Sequence, residues 1–195
     1  MIQKRKRCCA LFSRLIGVVS AAVGFFLLLA CRPETLPPQA IFHPGGAQAL
    51  HASQIDPGDL LVRGGVYVPV YSIIHWSELR TTAELAVTVS IRNTDAEHSL
   101  GLASVTYYDS LGKPIQEYLD GVKELDPLAT VEFVIERSDT RGGSGAKFIV
   151  DWGSPGPIAE PVMEAIMLGQ FGNSGISFVS PGRPIHVREP DAESP

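Results

Sequence analysis

The stretch Glu84–Arg92 alternates without a break, and that pattern limits what the chain can fold into more than any other feature. Leu85, Val87, Val89 and Ile91 fall on one face, with Ala86, Thr88 and Ser90 between them. A period of two belongs to a β-strand with one buried face. Val131, Phe133 and Ile135 repeat the pattern against Glu132 and Glu136, and Val66, Val68 and Val70 repeat it against Tyr67, Pro69 and Tyr71. Val105 and Tyr107, then Phe148, Val150 and Trp152, supply further inward sets.

Turn-forming clusters separate these runs: Asn93-Thr94-Asp95, Asp109-Ser110-Leu111-Gly112, Asp126-Pro127, Arg141-Gly142-Gly143-Ser144-Gly145 and Pro181-Gly182. Seven or eight short strands at this spacing predict an all-β chain, a single antiparallel β-sandwich of immunoglobulin-like type. Val162–Leu168 could form a helix by composition and is read as a strand. The sandwich is expected over residues 60–187, with a frayed acidic tail at 188–195.

Ahead of it the chain has another character. Lys4, Arg5, Lys6, Arg7 and Arg14 lead into an apolar run that ends Leu28-Leu29-Ala30-Cys31. A basic start, an apolar middle and a small residue at the cut describe a secretory signal peptide over residues 1–30. The ending resembles the lipobox of bacterial lipoproteins, which implies that Cys31 is lipidated and becomes the mature N-terminus. Two other readings stay open. The leader could be retained as an anchor, although its apolar run of about 16 residues falls short of the roughly 20 that span a bilayer. It could also be cut by the ordinary signal peptidase, leaving a free thiol. Arg32 stands where an Asp usually signals inner-membrane retention in enteric-type bacteria, so the resemblance points to the outer membrane or the cell surface. Residues 31–59, rich in Pro and Gly, read as a tether reaching roughly 30 Å.

Removing the leader changes the balance of charge. The five leader cations come out of 16 Lys and Arg, leaving 11 against 21 Asp and Glu, a net charge of about −10. Such a surface repels phosphate backbones, so nucleic-acid binding is not expected. On the lipoprotein reading Cys8 and Cys9 leave with the leader and Cys31 would be acylated, so the mature domain would have no thiol for disulfides or thiolate metal sites.

Pro69 lacks an amide proton and is expected on an edge strand. There Tyr67 and Tyr71 form either a docking ridge for a protein or peptide of the envelope, or a cap on the core. Backbone amides around Arg141, Gly142, Gly143 and Ser144 suit an anion. The run Gly142-Gly143-Ser144-Gly145-Ala146, with Asp151 and His186 following, resembles a nucleophile elbow. That chemistry needs a strand before the Ser and a helix after it, and here a polar turn precedes and a strand follows. No P-loop is present, because Ala146 precedes Lys147. His43, His51, His75, His98 and His186 are not spaced to share zinc, and Asp109, Asp120, Asp126 and Asp151 form no calcium cluster. No cofactor is expected.

Val66–Ser72, Ser90–Asp95, Val105–Asp109, Gly142–Val150 and Gly175–Ser180 resemble signature stretches of the bacterial domain-of-unknown-function family numbered 3124. The resemblance runs over roughly residues 65–185. It implies a lipoprotein or periplasmic domain and brings no activity with it. More loosely, Asn93, the turn with Asp109 and Gly112, and Leu125 with Pro127 resemble immunoglobulin-like envelope domains, which tend to be binding or accessory modules. The expected function is therefore a lipid-anchored, non-catalytic binding or assembly module of the cell envelope. A small-molecule or anion sensor using the glycine loop is the alternative, and a serine hydrolase comes third.

Overall fold

The structure, a computed structural model, describes residues 50–53, 55, 60 and 62–188. The leader, Cys31, most of the expected tether and the tail beyond Arg188 lie outside the described residues. The strands are β1 (Leu50–Ala52), β2 (Val62–Pro69), β3 (Ile73–Trp76), β4 (Glu78–Arg92), β5 (Leu100–Tyr108) and β6 (Pro114–Glu117), then β7 (Lys123–Leu125), β8 (Thr130–Ile135), β9 (Lys147–Ser154), β10 (Val162–Phe171), β11 (Ser174–Pro181) and β12 (Arg183–Arg188). All pair antiparallel. The seven-stranded first sheet runs β1-β7-β5-β9-β2-β12 with β6 beside β5, and the five-stranded second sheet runs β11-β10-β4-β3 with β8 beside β4. The two pack face to face as the expected sandwich, with more strands than the seven or eight read from the sequence.

The core follows the alternation. Leu85, Val87, Val89 and Ile91 are fully buried, as are Val131, Phe133, Val68, Val70, Val105, Tyr107, Phe148 and Val150. Tyr107 stacks on Phe148 and Phe148 on Tyr118, which also meets Phe133 edge-on, so aromatic rings tie the two sheets together. Val162–Leu168 is strand, and the register shows why. Met163, Ala165 and Met167 lie opposite Ile91, Val89 and Val87 and are buried with them. A helix would turn Ala165 away from Met163 and Met167, whereas a strand lines all three up against β4.

Pro69 does not sit on an edge strand. β2 lies between β9 and β12, and Pro69 is opposite Lys147 of β9. The amide of Val70 donates to Ala146 on the β9 side, so by strand alternation the Pro69 nitrogen faces the other way. On that flank β12 pairs only as far as Tyr67, opposite Arg183. The missing donor therefore falls just past the end of the neighbouring strand, where no ladder bond is due. The expected tether also enters the fold earlier than its composition suggested, because Leu50–Ala52 pairs with Lys123–Leu125 and Leu50 packs against the core.

Gly64 and Gly65 face opposite sides of β2, and each makes room for a ring. A methyl at Gly64 would run into the indole of Trp152, and one at Gly65 into the imidazole of His186. At the far end, Gly182 carries the chain from β11 in the second sheet to β12 in the first. Its amide donates to the Met163 carbonyl at 2.8 Å, and a side chain there would meet Val66.

Candidate functional site

The outer face of the first sheet collects the side chains that alternation turns away from the core. Register places Tyr67 beside Ile149 on one flank and Arg183 on the other, with Thr106 next to Ile149. Tyr67, Ile149 and Thr106 are half-buried and Arg183 is exposed. The next row reads Ser104, Asp151, Gly65 and His186. Here Ser104 Oγ donates to Asp151 Oδ2 at 2.7 Å, and His186 Nε2 lies 3.7 Å from Asp151 Oδ1. Gly65 allows this, since the imidazole crosses over its bare backbone.

Tyr71 goes elsewhere. It follows the end of β2, packs against the core and meets the ring of Phe178 edge-on, with centroids 5.8 Å apart. For Tyr71 the core-capping alternative describes the structure, so the two tyrosines do not make one ridge. Tyr67 and Pro69 remain on the outer face, both half-buried.

The glycine loop is a lock between loops. Gly143 N–H donates to Ser72 Oγ at 2.8 Å, and Ser72 N–H donates to the Gly143 carbonyl at 3.1 Å. Gly145 N–H donates to Ser110 Oγ at 2.9 Å, and the same hydroxyl donates to the Gly142 carbonyl at 2.8 Å. Amides at Gly143 and Gly145 are thus spent on serines. Arg141 is spent as well, forking onto Asp139 through Nε at 2.8 Å and Nη2 at 2.6 Å. That guanidinium holds the Asp139 carboxyl below its ordinary value. Gly142 presses on the phenol of Tyr107, leaving no space for a side chain, and burial pushes the Tyr107 phenol above its ordinary value. Ser144 is exposed on a single turn of 3-10 helix, Gly143–Gly145.

The hydrolase reading can be compared residue by residue. Asp151 and His186 do meet, but the hydroxyl on the carboxylate is that of Ser104, while Ser144 sits in the loop before β9. The carboxylate stands between hydroxyl and imidazole. A nucleophilic serine instead needs the imidazole next to it, to take its proton. Among the described residues, no group of three or more His, Cys, Asp or Glu could hold a metal ion.

Asn93-Thr94-Asp95 is a densely hydrogen-bonded loop. Buried Asn93 donates its amide to the carbonyls of His98, Leu125 and Asp126 at 2.8, 3.2 and 3.1 Å, and its Oδ1 accepts Asp95 N–H at 3.0 Å. Thr94 Oγ1 donates to the Glu160 carbonyl at 2.8 Å. Asp95 accepts the amides of Glu97, His98 and Ala159. These bonds, Glu97 first and Ala159 next, hold its carboxyl well below the usual aspartate range.

The sign for stability follows from that depression. An unfolded aspartate takes up a proton near pH 3.9, and folded Asp95 resists doing so. Its contribution is therefore complete above about pH 4 to 5 and is lost as pH falls below that. Asp95→Asn should melt below the wild type at pH 7, and the gap should narrow from about pH 4 downward. A gap that is constant in acid melting curves would remove Asp95 as its source. The Asp109 turn is built the same way, with Oδ1 accepting Leu111 and Lys113 N–H at 2.9 and 2.8 Å and Gly112 at a φ of 81°.

A family model described as "Protein of unknown function (DUF3124)" matches residues 63–185, nearly the whole described sandwich. The chain belongs to this family. No curated protein matches it. A solved structure, "Crystal Structure of Thermotoga maritima 1070", is similar over 62% of this chain and 92% of that one, at 16% identity and a TM-score of 0.40.

Proposed function

We propose that this member of the DUF3124 family is an exported cell-envelope protein, anchored by lipid on Cys31, whose sandwich binds a partner or serves in assembly rather than in catalysis. The anchor rests on the leader and the Leu28-Leu29-Ala30-Cys31 ending. The binding role rests on one observation above all, the half-buried ring of Tyr67 on an open sheet face between Ile149 and Arg183. An aromatic ring flanked by an aliphatic and a guanidinium suits a peptide or protein surface, because such rings dominate interface energetics. The partner is an envelope protein or peptide.

The glycine loop supports an anion sensor less well. Its Gly143 and Gly145 amides and the Arg141 guanidinium already have partners inside the fold, so an anion would have to displace Ser72, Ser110 or Asp139.

A photo-crosslinking residue placed beside Tyr67, used in native envelopes, tests the binding role. Tyr67→Ser should abolish capture at a smaller stability cost than Tyr71→Ser, because the half-buried Tyr67 ring lies on the outer face and does not pack against the core. Tyr71→Ser should instead lower stability by about 2 kcal/mol, since a half-buried ring gives up part of the 3–5 kcal/mol of a core ring. Capture that is undiminished in Tyr67→Ser would show that the partner docks elsewhere.

A further inference from the structure

β11 ends the second sheet as an open edge, and it differs from the other edges. It pairs with β10 in an unbroken register from Phe171↔Ser174 to Glu164↔Pro181. Its sequence, Ser-Gly-Ile-Ser-Phe-Val-Ser-Pro, has no charge and no proline before its last residue. Natural edges are usually blunted by charge, proline, bulges or shortness. β12 has Arg183, Pro184 and a register shift after Pro184, β8 carries Glu132, and β1 and β3 have three and four residues. Among the described residues no strand lies on the outer flank of β11.

The ladder fixes which backbone groups that flank offers. Gly182 N–H donates to Met163, so residues of its parity face β10. The N–H and C=O groups of Gly175, Ser177 and Val179 therefore face outward. Pro181, next in that series, has no donor. Val179 is 55% exposed, and a Cβ at Gly175 would find nothing within 4 Å.

We propose that β11 pairs antiparallel with β11 of a second copy of this chain, about a two-fold axis at Ser177. That register sets Ser177 against Ser177 and Val179 against the partner's open Gly175, and every outward donor meets an outward acceptor. A shift of one pair in one direction would bring Pro181 against an outward N–H and C=O and lose a donor, and in the other it would set Val179 against Asn173 in the turn between β10 and β11. Ile176 then neighbours the partner's Phe178 on the other face. A chain of net charge −5 repels its own copy over most of its surface, and this strand brings no charges together. A strand that complements itself about one residue fits a second copy better than an unrelated peptide.

The test uses the full-length chain with Ser177→Cys under mild oxidation. Hydrogen-bonded antiparallel pairs have Cα atoms about 5.5 Å apart, inside the roughly 4.4–6.8 Å that a disulfide spans. A covalent dimer should form at least about tenfold more than with Asn173→Cys, which the register holds about 27 Å from its own copy. The wild type, whose cysteines are Cys8, Cys9 and Cys31, sets the background. Val179→Pro removes an outward donor and leaves the β10 ladder whole, so the dimer should vanish in sedimentation while melting shifts by only a few degrees. Ser177→Lys, which puts like charges on the axis, should also give monomer and covers a failure of the proline variant to fold. Equal crosslinking of the Asn173→Cys and Ser177→Cys chains, a dimer surviving both the Val179→Pro and Ser177→Lys variants, or a crosslink from the Ser177→Cys chain to a different protein would each overturn the proposal.

Discussion

Asn93→Ala should lower the stability of the sandwich by about 3–5 kcal/mol, a fifth or more of the 5–15 kcal/mol typical of a whole domain. Asn93 is only 3% exposed, and its amide serves three carbonyls drawn from two loops. The Asp126 carbonyl keeps Ala129 N–H, so the loss falls on the Leu125 and His98 carbonyls, at roughly 1–3 kcal/mol for a buried acceptor left without a donor. Alanine also removes the Oδ1 that receives Asp95 N–H, loosening the carboxylate that gathers Glu97, His98 and Ala159. Asn93→Asp should fare no better, because it keeps the acceptor but points a charge at three carbonyls. Thr94→Ala, next door, gives up one exposed bond to Glu160 and should cost less than about 1 kcal/mol. Denaturant melts of the three variants check this ordering. A loss below about 1 kcal/mol for Asn93→Ala would mean that the loop holds its shape without the amide.

That loop shows how much of the fold could be read from the sequence. Asn93-Thr94-Asp95 is recognisable as a turn from its residue types, but its partners at 125, 126 and 159 become neighbours only through folding. The Glu84–Arg92 part of β4 was legible because one parity there is wholly apolar and the other is not, whereas Thr81 breaks the pattern in its first half. β10 was ambiguous because both parities are apolar: Met163, Ala165 and Met167 face in, while Ile166 and Leu168 lie on the outer face, with Leu168 53% exposed. Pairing with β4 decides between them. β1, β6 and β7 span three or four residues each, too short to show a period, and exist because a neighbour pairs with them. Pro69 shows a sound physical rule with two solutions. A residue without a donor can sit on an edge strand or just past the end of the next one, and sequence does not choose.

The candidate site divides along the same line. The outward parity of Tyr67 follows directly from Val66 and Val68. Its neighbours Ile149 and Arg183 depend on strand order, which periodicity does not carry. Asp151 and His186 meet across β2 because the register shifts between Pro184 and His186 and because Gly65 has no side chain in the way, while a shift between Leu102 and Ser104 sets Ser104 beside Asp151. Neither shift leaves a mark in composition. The glycine loop offered amides on paper, and what removes them from offer is two serines far away in the chain, Ser72 and Ser110.

Cys31→Ala should abolish lipid labelling and move the protein from the membrane to the soluble fraction, or leave it unprocessed with its leader attached. The proposed anchor explains the size of this effect. Each buried methylene contributes about 0.8 kcal/mol, and one acyl chain alone gives only marginal attachment. A lipidated N-terminal cysteine of the lipoprotein type carries three chains, so its loss is all or none rather than graded. The sandwich itself should be indifferent. Its core is built from residues 66 to 167 and contains no cysteine, so the released protein should melt as the wild type does, with or without reducing agent. Metabolic labelling with a fatty acid, fractionation and a melt of the soluble form read these three consequences separately. Labelling that persists in Cys31→Ala would sink the lipid anchor and leave the sandwich untouched, because fold and attachment depend on different parts of the chain.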